Sequence, residues 1–208
     1  MNDSDKKTSF QSSLLGRRDI LKAGSIGLAA TVVAPFLLSS GTTFAAQTTG
    51  MGRILTVFHS RSGNTKVLAS VIHAQLGGDI AEIRPATPYS DDYDTATVEA
   101  RHQLITGQRP TNQPLSVDVA SYDVIFVGSP LWWGTLSVPT ITFLTQYDLA
   151  GKTIIPFSTN GGGSRDKTFD DVRMICASSK VLSGFKTKGS SVSRDHLKVK
   201  SWLRDLTI

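Results

Sequence analysis

Past residue 52 the sequence alternates short, continuous apolar runs with longer stretches in which apolar residues recur every three or four positions. Continuous apolar runs are typical of strands buried on both faces, and the longer pattern is typical of amphipathic helices. A regular alternation of the two predicts repeated βα units, and hence a parallel sheet with helices on both faces. The predicted strands cover residues 53–59, 80–83, 123–127, 153–157 and 181–186, and the predicted helices cover residues 64–76, 96–105, 138–147, 169–177 and 194–206. The sequence therefore predicts a single doubly wound α/β domain.

The first 45 residues have the organisation of an export signal. Arg17 and Arg18 precede an uncharged apolar segment over residues 23–38, and small residues follow up to Ala46. A basic region, an apolar region and a small-residue cleavage site are the three parts of a secretory signal. The apolar segment is shorter than the roughly 20 residues that a membrane-spanning helix needs. We therefore expect residues 1–45 to be removed rather than retained.

The arginine pair also resembles the twin-arginine export signal, because Ile20, Leu21 and Lys22 follow it closely. This resemblance implies export by the twin-arginine pathway, which moves folded proteins, to the periplasm or another extracytoplasmic compartment. A general secretory signal with a chance arginine pair is the alternative. In either case residues 46–52 form a short linker and residues 53–208 form the folded domain. An uncleaved signal segment is the only part that we expect to contact a membrane.

Charge and cysteine content argue against several other functions. The chain carries 22 Lys and Arg residues and 17 Asp and Glu residues, which gives a formal net charge of +5. Residues 1–45 hold five basic and three acidic residues, so the remainder has a net charge of +3, spread along the sequence. A nucleic-acid interface needs a local basic patch, so we expect no nucleic-acid partner. Cys176 is the single cysteine and the four histidines share no metal-ligand spacing, so we expect no metal site.

Ligands of doubly wound sheets bind outside the carboxyl ends of the strands, where the strand order reverses. The first loop at this edge is Ser60-Arg61-Ser62-Gly63-Asn64-Thr65, directly before a predicted helix. Its hydroxyl and amide groups, its free backbone N–H groups and the positive end of the helix suit a phosphate. Helix capping by Ser62 or Asn64 alone is the simpler alternative.

Two further loops follow the third and fourth predicted strands. Residues 128–135 read GSPLWWGT, and two adjacent tryptophans between glycines suggest a planar ring stacked on indole. We also expect at least one of the two tryptophans to belong to the core. Residues 158–164 read STNGGGS, whose glycines allow a ligand to approach the backbone closely. Taken alone, the glycine-rich loop also fits a flexible lid.

Together the three loops resemble the flavodoxin-like family, particularly its small bacterial members with SRSGNT and WWGT loops and a Gly-Lys-Thr strand that leads into a glycine-rich loop. The resemblance covers residues 53–206. It implies an α/β fold with a doubly wound five-stranded parallel sheet in the order 2-1-3-4-5, and FMN as the cofactor. The residues that it places around the phosphate are Ser60, Arg61, Ser62, Gly63, Asn64 and Thr65. Those around the isoalloxazine ring are Pro130, Leu131, Trp132, Trp133 and Gly134, and those at its pyrimidine edge are Thr159, Asn160, Gly161 and Gly162.

The resemblance implies an exported protein that binds FMN and transfers electrons to or from a redox partner protein. An FMN-dependent NAD(P)H:quinone or nitro-compound reductase, with a small quinone-like substrate, is one alternative. A non-catalytic flavodoxin-like binding module is another. No second nucleotide-binding G-x-G-x-x-G motif is present, so a nicotinamide would bind only transiently over the flavin. No catalytic residue follows from the sequence.

Two features of the sequence depart from the family pattern. His59 stands where a tyrosine is common, and we assign it no role. Typical flavodoxins are acidic around the flavin, whereas residues 128–135 contain no carboxylate. An acid-poor loop predicts a less negative reduction potential, because fewer like charges oppose the anionic reduced ring. Tyr89 and Tyr93 lie in an acidic segment that we interpret as solvated, with a substrate-facing role as the alternative.

Overall fold

The computed structural model describes residues 52–162 and 165–208. The predicted export signal over residues 1–45 lies outside the described residues, and so does the predicted linker apart from Gly52. The helices are α1 (Asn64–Leu76), α2 (Tyr93–Thr106), α3 (Val138–Gln146), α4 (Thr168–Ile175) and α5 (His196–Asp205). The strands are β1 (Ile54–Phe58), β2 (Asp79–Glu82), β3 (Val124–Trp132), β4 (Thr135–Leu136), β5 (Thr153–Asn160), β6 (Lys180–Val181) and β7 (Phe185–Lys188). Short 3-10 helices cover Val119–Ser121 and Gly189–Ser191.

The sheet is parallel along its main path, in the order β2-β1-β3-β5-β6. This confirms the predicted order, since β5 is the fourth main strand and β6 with β7 occupies the fifth position. β4 is a short antiparallel partner of β3, and β7 pairs with β5 in parallel. The direction of chain progression reverses between β1 and β3, so the loops that follow β1, β3 and β5 lie at the ligand-binding edge of the sheet.

The sequence predicts a continuous fifth strand over residues 181–186, but the structure divides it into β6 and β7. The carbonyl of Ile154 in β5 accepts a hydrogen bond from the backbone N–H of Leu182. The next residue of β5 that faces this side is Pro156, which has no N–H group to donate. The ladder is therefore interrupted, and it resumes at Phe185.

Two apolar clusters, one on each face of the sheet, form the core. Alternate residues of β1 belong to different clusters, with Leu55 and Val57 in one and Ile54 and Phe58 in the other. Because helices cover both faces, the central strands carry apolar residues at consecutive positions rather than at alternate ones, as Val124 to Val127 of β3 show. Phe126, in the middle of β3, is fully buried, and burial of such a side chain contributes about 1.5–3 kcal/mol to the free energy of unfolding.

β3 continues beyond the predicted strand to Trp132 and then turns back into β4. Residues 128–135 are therefore the end of a strand and a tight hairpin, and their prediction as a loop was wrong. Trp133 and Gly134 form the two-residue turn, with φ of 52° and 86°. Two-residue hairpin turns with the favoured twist require such left-handed angles. Trp133 is the one non-glycine residue with positive φ among residues 52–162 and 165–208.

Within the described part of the chain, no helix has the length and apolar character needed to cross a membrane. The same residues contain no group of three or more His, Cys, Asp or Glu side chains placed to hold a metal ion. Cys176 is buried in an apolar cluster, and burial raises the pKa of its thiol to about 11. A thiol with such a pKa is un-ionised at neutral pH, so Cys176 is a structural residue.

Candidate functional site

The loop between β1 and α1 leads into a helix whose N-terminus no side chain caps. Gly63 is the N-cap residue, with φ of 85°, and the helix has no side-chain capping hydrogen bond. The Asn64 side chain donates instead to Ser62 Oγ, at 3.2 Å. The first N–H groups of α1 are therefore left for a ligand. This arrangement fits the phosphate interpretation of the loop and not the alternative in which Ser62 or Asn64 caps the helix.

Two buried hydroxyl groups at this edge of the sheet have no hydrogen-bond partner among the described residues. They are Ser60 Oγ, directly after β1, and Ser158 Oγ, near the end of β5. An unpaired buried hydroxyl costs about 1–3 kcal/mol of folding free energy. A phosphate oxygen next to the α1 N-terminus would accept a hydrogen bond from Ser60 and remove this cost. The residues present therefore fit a phosphate group at the first loop.

Thr65 joins the first loop to the end of β5. Its Oγ1 lies 2.8 Å from Thr159 Oγ1, and both side chains are buried. Thr159 pairs in register with Pro130 of β3 and lies beside the first loop, so its assignment to the ring edge stays a prediction. Asn64 packs closely on Gly189, where a Cβ atom would lie 2.5 Å from Asn64 Nδ2. Gly189 was not predicted as part of the site, because a single distant glycine carries no local signal of this contact.

Arg61 extends from the first loop toward the segment that follows β2. Its Nη2 donates to the carbonyl oxygens of Ser90 and Asp91, at 3.1 and 2.8 Å. The guanidinium also lies 5.7 Å from the centre of the Tyr93 ring. The carboxylates of residues 91, 92 and 94 are exposed, as the solvated interpretation of this segment predicts. The backbone of the segment nevertheless packs against the candidate site, because Arg61 holds it there.

Trp132 lies between two other aromatic side chains. Its ring packs edge-on against His59 and Tyr89, with centroid distances of 5.2 and 5.0 Å. The Tyr89 hydroxyl donates to Gln103 Oε1 at 2.5 Å, and burial raises the pKa of Tyr89 above its usual range. Tyr89 is thus a neutral part of the site wall, unlike its solvated neighbours. The indole of Trp132 is held in place from two sides.

Trp133 follows Trp132 in the hairpin and is 53% exposed. Its Nε1 donates to the carbonyl of Thr97 in α2 at 3.1 Å. The Arg101 guanidinium lies 4.9 Å from the centre of its ring. Neither Trp132 nor Trp133 belongs to the buried core, so the expectation of at least one core tryptophan was wrong. Both indoles are side chains of the surface around the site.

A buried histidine supports Trp132. His59 Nδ1 lies 2.9 Å from Ser137 Oγ, and the backbone N–H of Ser137 donates to Ser129 Oγ at 2.9 Å. Burial lowers the pKa of His59 to about 4, so the imidazole is neutral at pH 7. His59 had no predicted role. The alternation of side chains along a strand would have placed it on the same face of the sheet as Val57.

A cavity of about 250 Å³ lies between the first loop, the hairpin and α2. Its lining residues are Arg61, Tyr93, Ala96, Thr97, Ala100, Leu131, Trp132 and Trp133. Aromatic rings and small side chains on facing walls suit a flat aromatic molecule. Of the residues predicted to bind the cofactor, Arg61 of the first loop and Leu131, Trp132 and Trp133 of the second segment line this one cavity.

None of the described residues of the glycine-rich loop after β5 contributes to that lining. Gly161 and Gly162 are exposed, and a Cβ atom on either would meet nothing within 4 Å. Asn160 Oδ1 accepts a hydrogen bond from the Gly162 N–H at 3.0 Å. Further along, the Lys167 N–H donates to the carbonyl of Gly134 at 2.8 Å. The segment that follows this loop is therefore tied to the hairpin turn.

The flavodoxin family model matches residues 53–206. A candidate flavoprotein from Bacteroides eggerthii has a similar structure, with 26% sequence identity and a TM-score of 0.66, over 76% of this chain and 99% of that chain. A candidate flavoprotein from Bacteroides uniformis is 26% identical, with a TM-score of 0.65, over 74% of this chain and 99% of that chain. A flavoprotein from Lactobacillus acidophilus, solved in complex with FMN, is 24% identical, with a TM-score of 0.58, over 69% and 97%. No curated protein matches the sequence.

Proposed function

Since this chain belongs to the flavodoxin family, we propose that it binds FMN and transfers electrons. The observation that carries the proposal is the first loop, where the uncapped N-terminus of α1 meets the unpaired buried hydroxyl of Ser60. Both features suit an anionic phosphate. The cavity that begins at Arg61 of the same loop suits a planar ring. A phosphate site next to a ring site matches the two ends of FMN.

In this proposal the backbone N–H groups at the start of α1 and the Ser60 hydroxyl bind the phosphate. Gly63 adopts the left-handed conformation that the turn into the helix needs. Thr65 is already bonded to Thr159 and keeps the first turn of α1 fixed against β5. Arg61 is engaged by backbone carbonyls, so its part is to hold the neighbouring segment against the loop.

The residues of the hairpin hold the ring. FMN supplies the redox chemistry when it is bound, because the flavin exchanges one or two electrons. The contacts of Trp132 with His59 and Tyr89 define its position before a ligand enters. A wall that is ordered in advance binds a planar ring without a further loss of side-chain entropy. The neutral His59 adds no charge next to the ring.

The sequence of residues 1–45 supports the further proposal that the protein acts after export, in the periplasm or another extracytoplasmic compartment. Replacement of Arg17 and Arg18 by lysine is expected to retain the protein in the cytoplasm. Cell fractionation followed by immunodetection shows in which compartment the variant accumulates. Unchanged export of the variant would point to a general secretory signal instead.

Titration of the FMN-free protein with FMN, followed by flavin fluorescence, tests the proposed function. Ser60→Ala is expected to raise the Kd for FMN about tenfold or more, because a hydrogen bond to a charged group contributes about 1.5–3 kcal/mol. Riboflavin has no phosphate and should bind both proteins equally. Ser70→Ala, on the exposed side of α1, is the matched control. Absence of any fluorescence change with the unmodified protein would refute the proposal.

A reductase that passes electrons from NAD(P)H to a quinone or nitro compound is the second candidate function. The open side of the ring site favours it, since the small side chains of Ala96, Thr97 and Ala100 line the cavity and give a flat substrate access to the ring. Stopped-flow mixing of the FMN-loaded protein with NADH or NADPH distinguishes the reductase from the electron carrier. Rapid loss of oxidised-flavin absorbance supports the reductase, and inertness supports the electron carrier.

A further inference from the structure

The exposed indole of the hairpin lies in a surface that is both apolar and basic. Trp133 is 53% exposed and Met174 of α4 is 72% exposed. Both line an open cleft of about 480 Å³, together with the basic side chains of Arg109, Arg165 and Lys167. We refer to these five residues and Arg101, which lies over the Trp133 ring, as the Trp133 patch.

The cations of the Trp133 patch have no acidic partners in the described part of the chain. The salt bridges between described residues use other basic side chains, namely Arg53, Lys66, Arg84, Arg173, Lys186 and Lys198. The carboxylate that lines the cleft, Asp171, accepts a hydrogen bond from Thr135. Four exposed cations around one indole create a positive local potential, although the net charge of the chain is modest.

Apolar surface continues from the patch along α2. Val98 and Ile105 are exposed and lie three residues before and four residues after Arg101, on the same face of the helix. Exposed apolar groups that adjoin one another mark interaction sites on soluble proteins. Tryptophan, methionine and arginine are the side chains enriched in protein–protein interfaces.

We propose that the Trp133 patch is a docking surface for an acidic redox protein. The inference rests on the proposed function, because Trp133 and Gly134 belong to the hairpin assigned to the flavin ring. Charge complementarity selects the partner, since carboxylates around its redox centre would pair with Arg109, Arg165 and Lys167. The prominent exposure of Trp133 and Met174 favours a protein over a small molecule, which would be enclosed in a pocket. With FMN bound, one electron would pass from the reduced flavin to the oxidised centre of the partner, and no bond would be made or broken.

Native cytochrome c, which is basic, and fully succinylated cytochrome c, which is acidic, are matched probes of this surface. Isothermal titration calorimetry measures their binding to the FMN-loaded and the FMN-free protein at low ionic strength. The acidic probe is expected to bind about tenfold or more tightly than the basic one. The preference should vanish at about 0.5 M salt, where exposed charges are screened. Equal binding of the two probes at low ionic strength would overturn the proposal.

Charge-reversal variants locate the interaction. Arg109→Glu with Lys167→Glu changes two cations of the patch, and Lys200→Glu with Arg204→Glu makes the same change of net charge on α5. The patch variant is expected to bind the acidic probe about tenfold more weakly, and the α5 variant should change binding by less than about twofold. If both variants lost the same affinity for the acidic probe, net charge alone would explain the binding, and the proposal would be overturned.

Ferricyanide serves as a small anionic electron acceptor without a protein surface. If the patch variant slows reduction of ferricyanide as much as that of the acidic cytochrome, the patch is a small-anion site and the protein-docking proposal is wrong. FMN titration keeps the two proposals apart. A protein that does not bind FMN refutes the proposed function, whereas a protein that binds FMN and shows no preference for the acidic probe refutes docking alone.

Discussion

The Nδ1 atom of His59 lies 2.9 Å from the hydroxyl oxygen of Ser137, at a buried position in edge-on contact with Trp132. His59 directly follows β1, and Ser137 directly precedes α3. Their contact therefore joins the carboxyl end of the central sheet to the helix that follows the tryptophan hairpin. A polar pair at this place holds the hairpin without adding charge, because burial keeps the imidazole neutral.

Acidification is expected to destabilise the protein through His59. The imidazole takes up a proton near pH 6.5 in the unfolded chain but only near pH 4 in the folded protein. The unfolded state therefore binds more protons between these values, and the free energy of unfolding falls by up to about 3 kcal/mol as the pH decreases through this window. Urea unfolding at a series of pH values measures the effect.

The matched variants for this experiment are His59→Asn and His102→Asn. The first removes the buried titrating group and should lose most of the pH dependence between about pH 6.5 and 4. The second changes an exposed histidine in α2, and this variant should keep the pH dependence of the unmodified protein. An unchanged pH profile in His59→Asn would assign the acid sensitivity to other groups.

Thr65 and Thr159 are expected to be energetically coupled. Thr65→Val leaves the Thr159 hydroxyl buried without its 2.8 Å partner, and should lower the free energy of unfolding by about 1–3 kcal/mol. The double variant Thr65→Val with Thr159→Val should lose less than the sum of the two single variants, because neither hydroxyl is then left unpaired. Chemical denaturation without FMN gives the free energies of unfolding of the unmodified protein, the two single variants and the double variant. Strict additivity would show that the two hydroxyls do not interact.

The backbone of Trp133 is expected to be strained. A left-handed φ of 52° suits asparagine better than tryptophan, and the strain is about 1–3 kcal/mol. Both Trp133→Asn and Trp133→Phe lose the indole hydrogen bond to Thr97. Only Trp133→Phe keeps the strain, so Trp133→Asn should be the more stable of the two to urea. Both variants should bind the acidic cytochrome more weakly than the unmodified protein. The reverse order of stability would contradict the strain argument.

The reduction potential of bound FMN is expected to be less negative than in flavodoxins with acidic flavin surroundings. The hairpin contains no carboxylate, and the cations of the Trp133 patch stabilise the anionic reduced ring further. Potentiometric titration measures the value. Arg109→Glu with Lys167→Glu should shift it to a more negative value, and Lys200→Glu with Arg204→Glu should leave it nearly unchanged. A potential equal to or below that of acidic flavodoxins would contradict the expectation.

Local patterns along the chain were enough to predict the order of the five helices and of the main strands, but not the hairpin over residues 128–135 or the division of the last strand. The helix predicted over residues 64–76 is α1, with the same bounds, because its apolar periodicity and the glycines after it are local signals. The end of β3 was the least predictable boundary. Its apolar run stops after Val127, and the strand continues because residues 128–130 pair with β5 and Leu131 pairs with Leu136 in the hairpin.

Contacts between distant parts of the chain set which side chains of these segments meet. Thr65 bonds to Thr159 and His59 bonds to Ser137, and each pair joins residues far apart in the chain. Such contacts depend on strand register and on the direction of each side chain, and a register shift of one residue would turn every side chain of a strand to the opposite face. A local sequence pattern carries no information on register between distant strands. The motifs SRSGNT, GSPLWWGT and STNGGGS could therefore be recognised from the sequence, although the second is a strand end and a hairpin rather than a loop. The wall around Trp132 and the charged surface around Trp133 follow from packing alone.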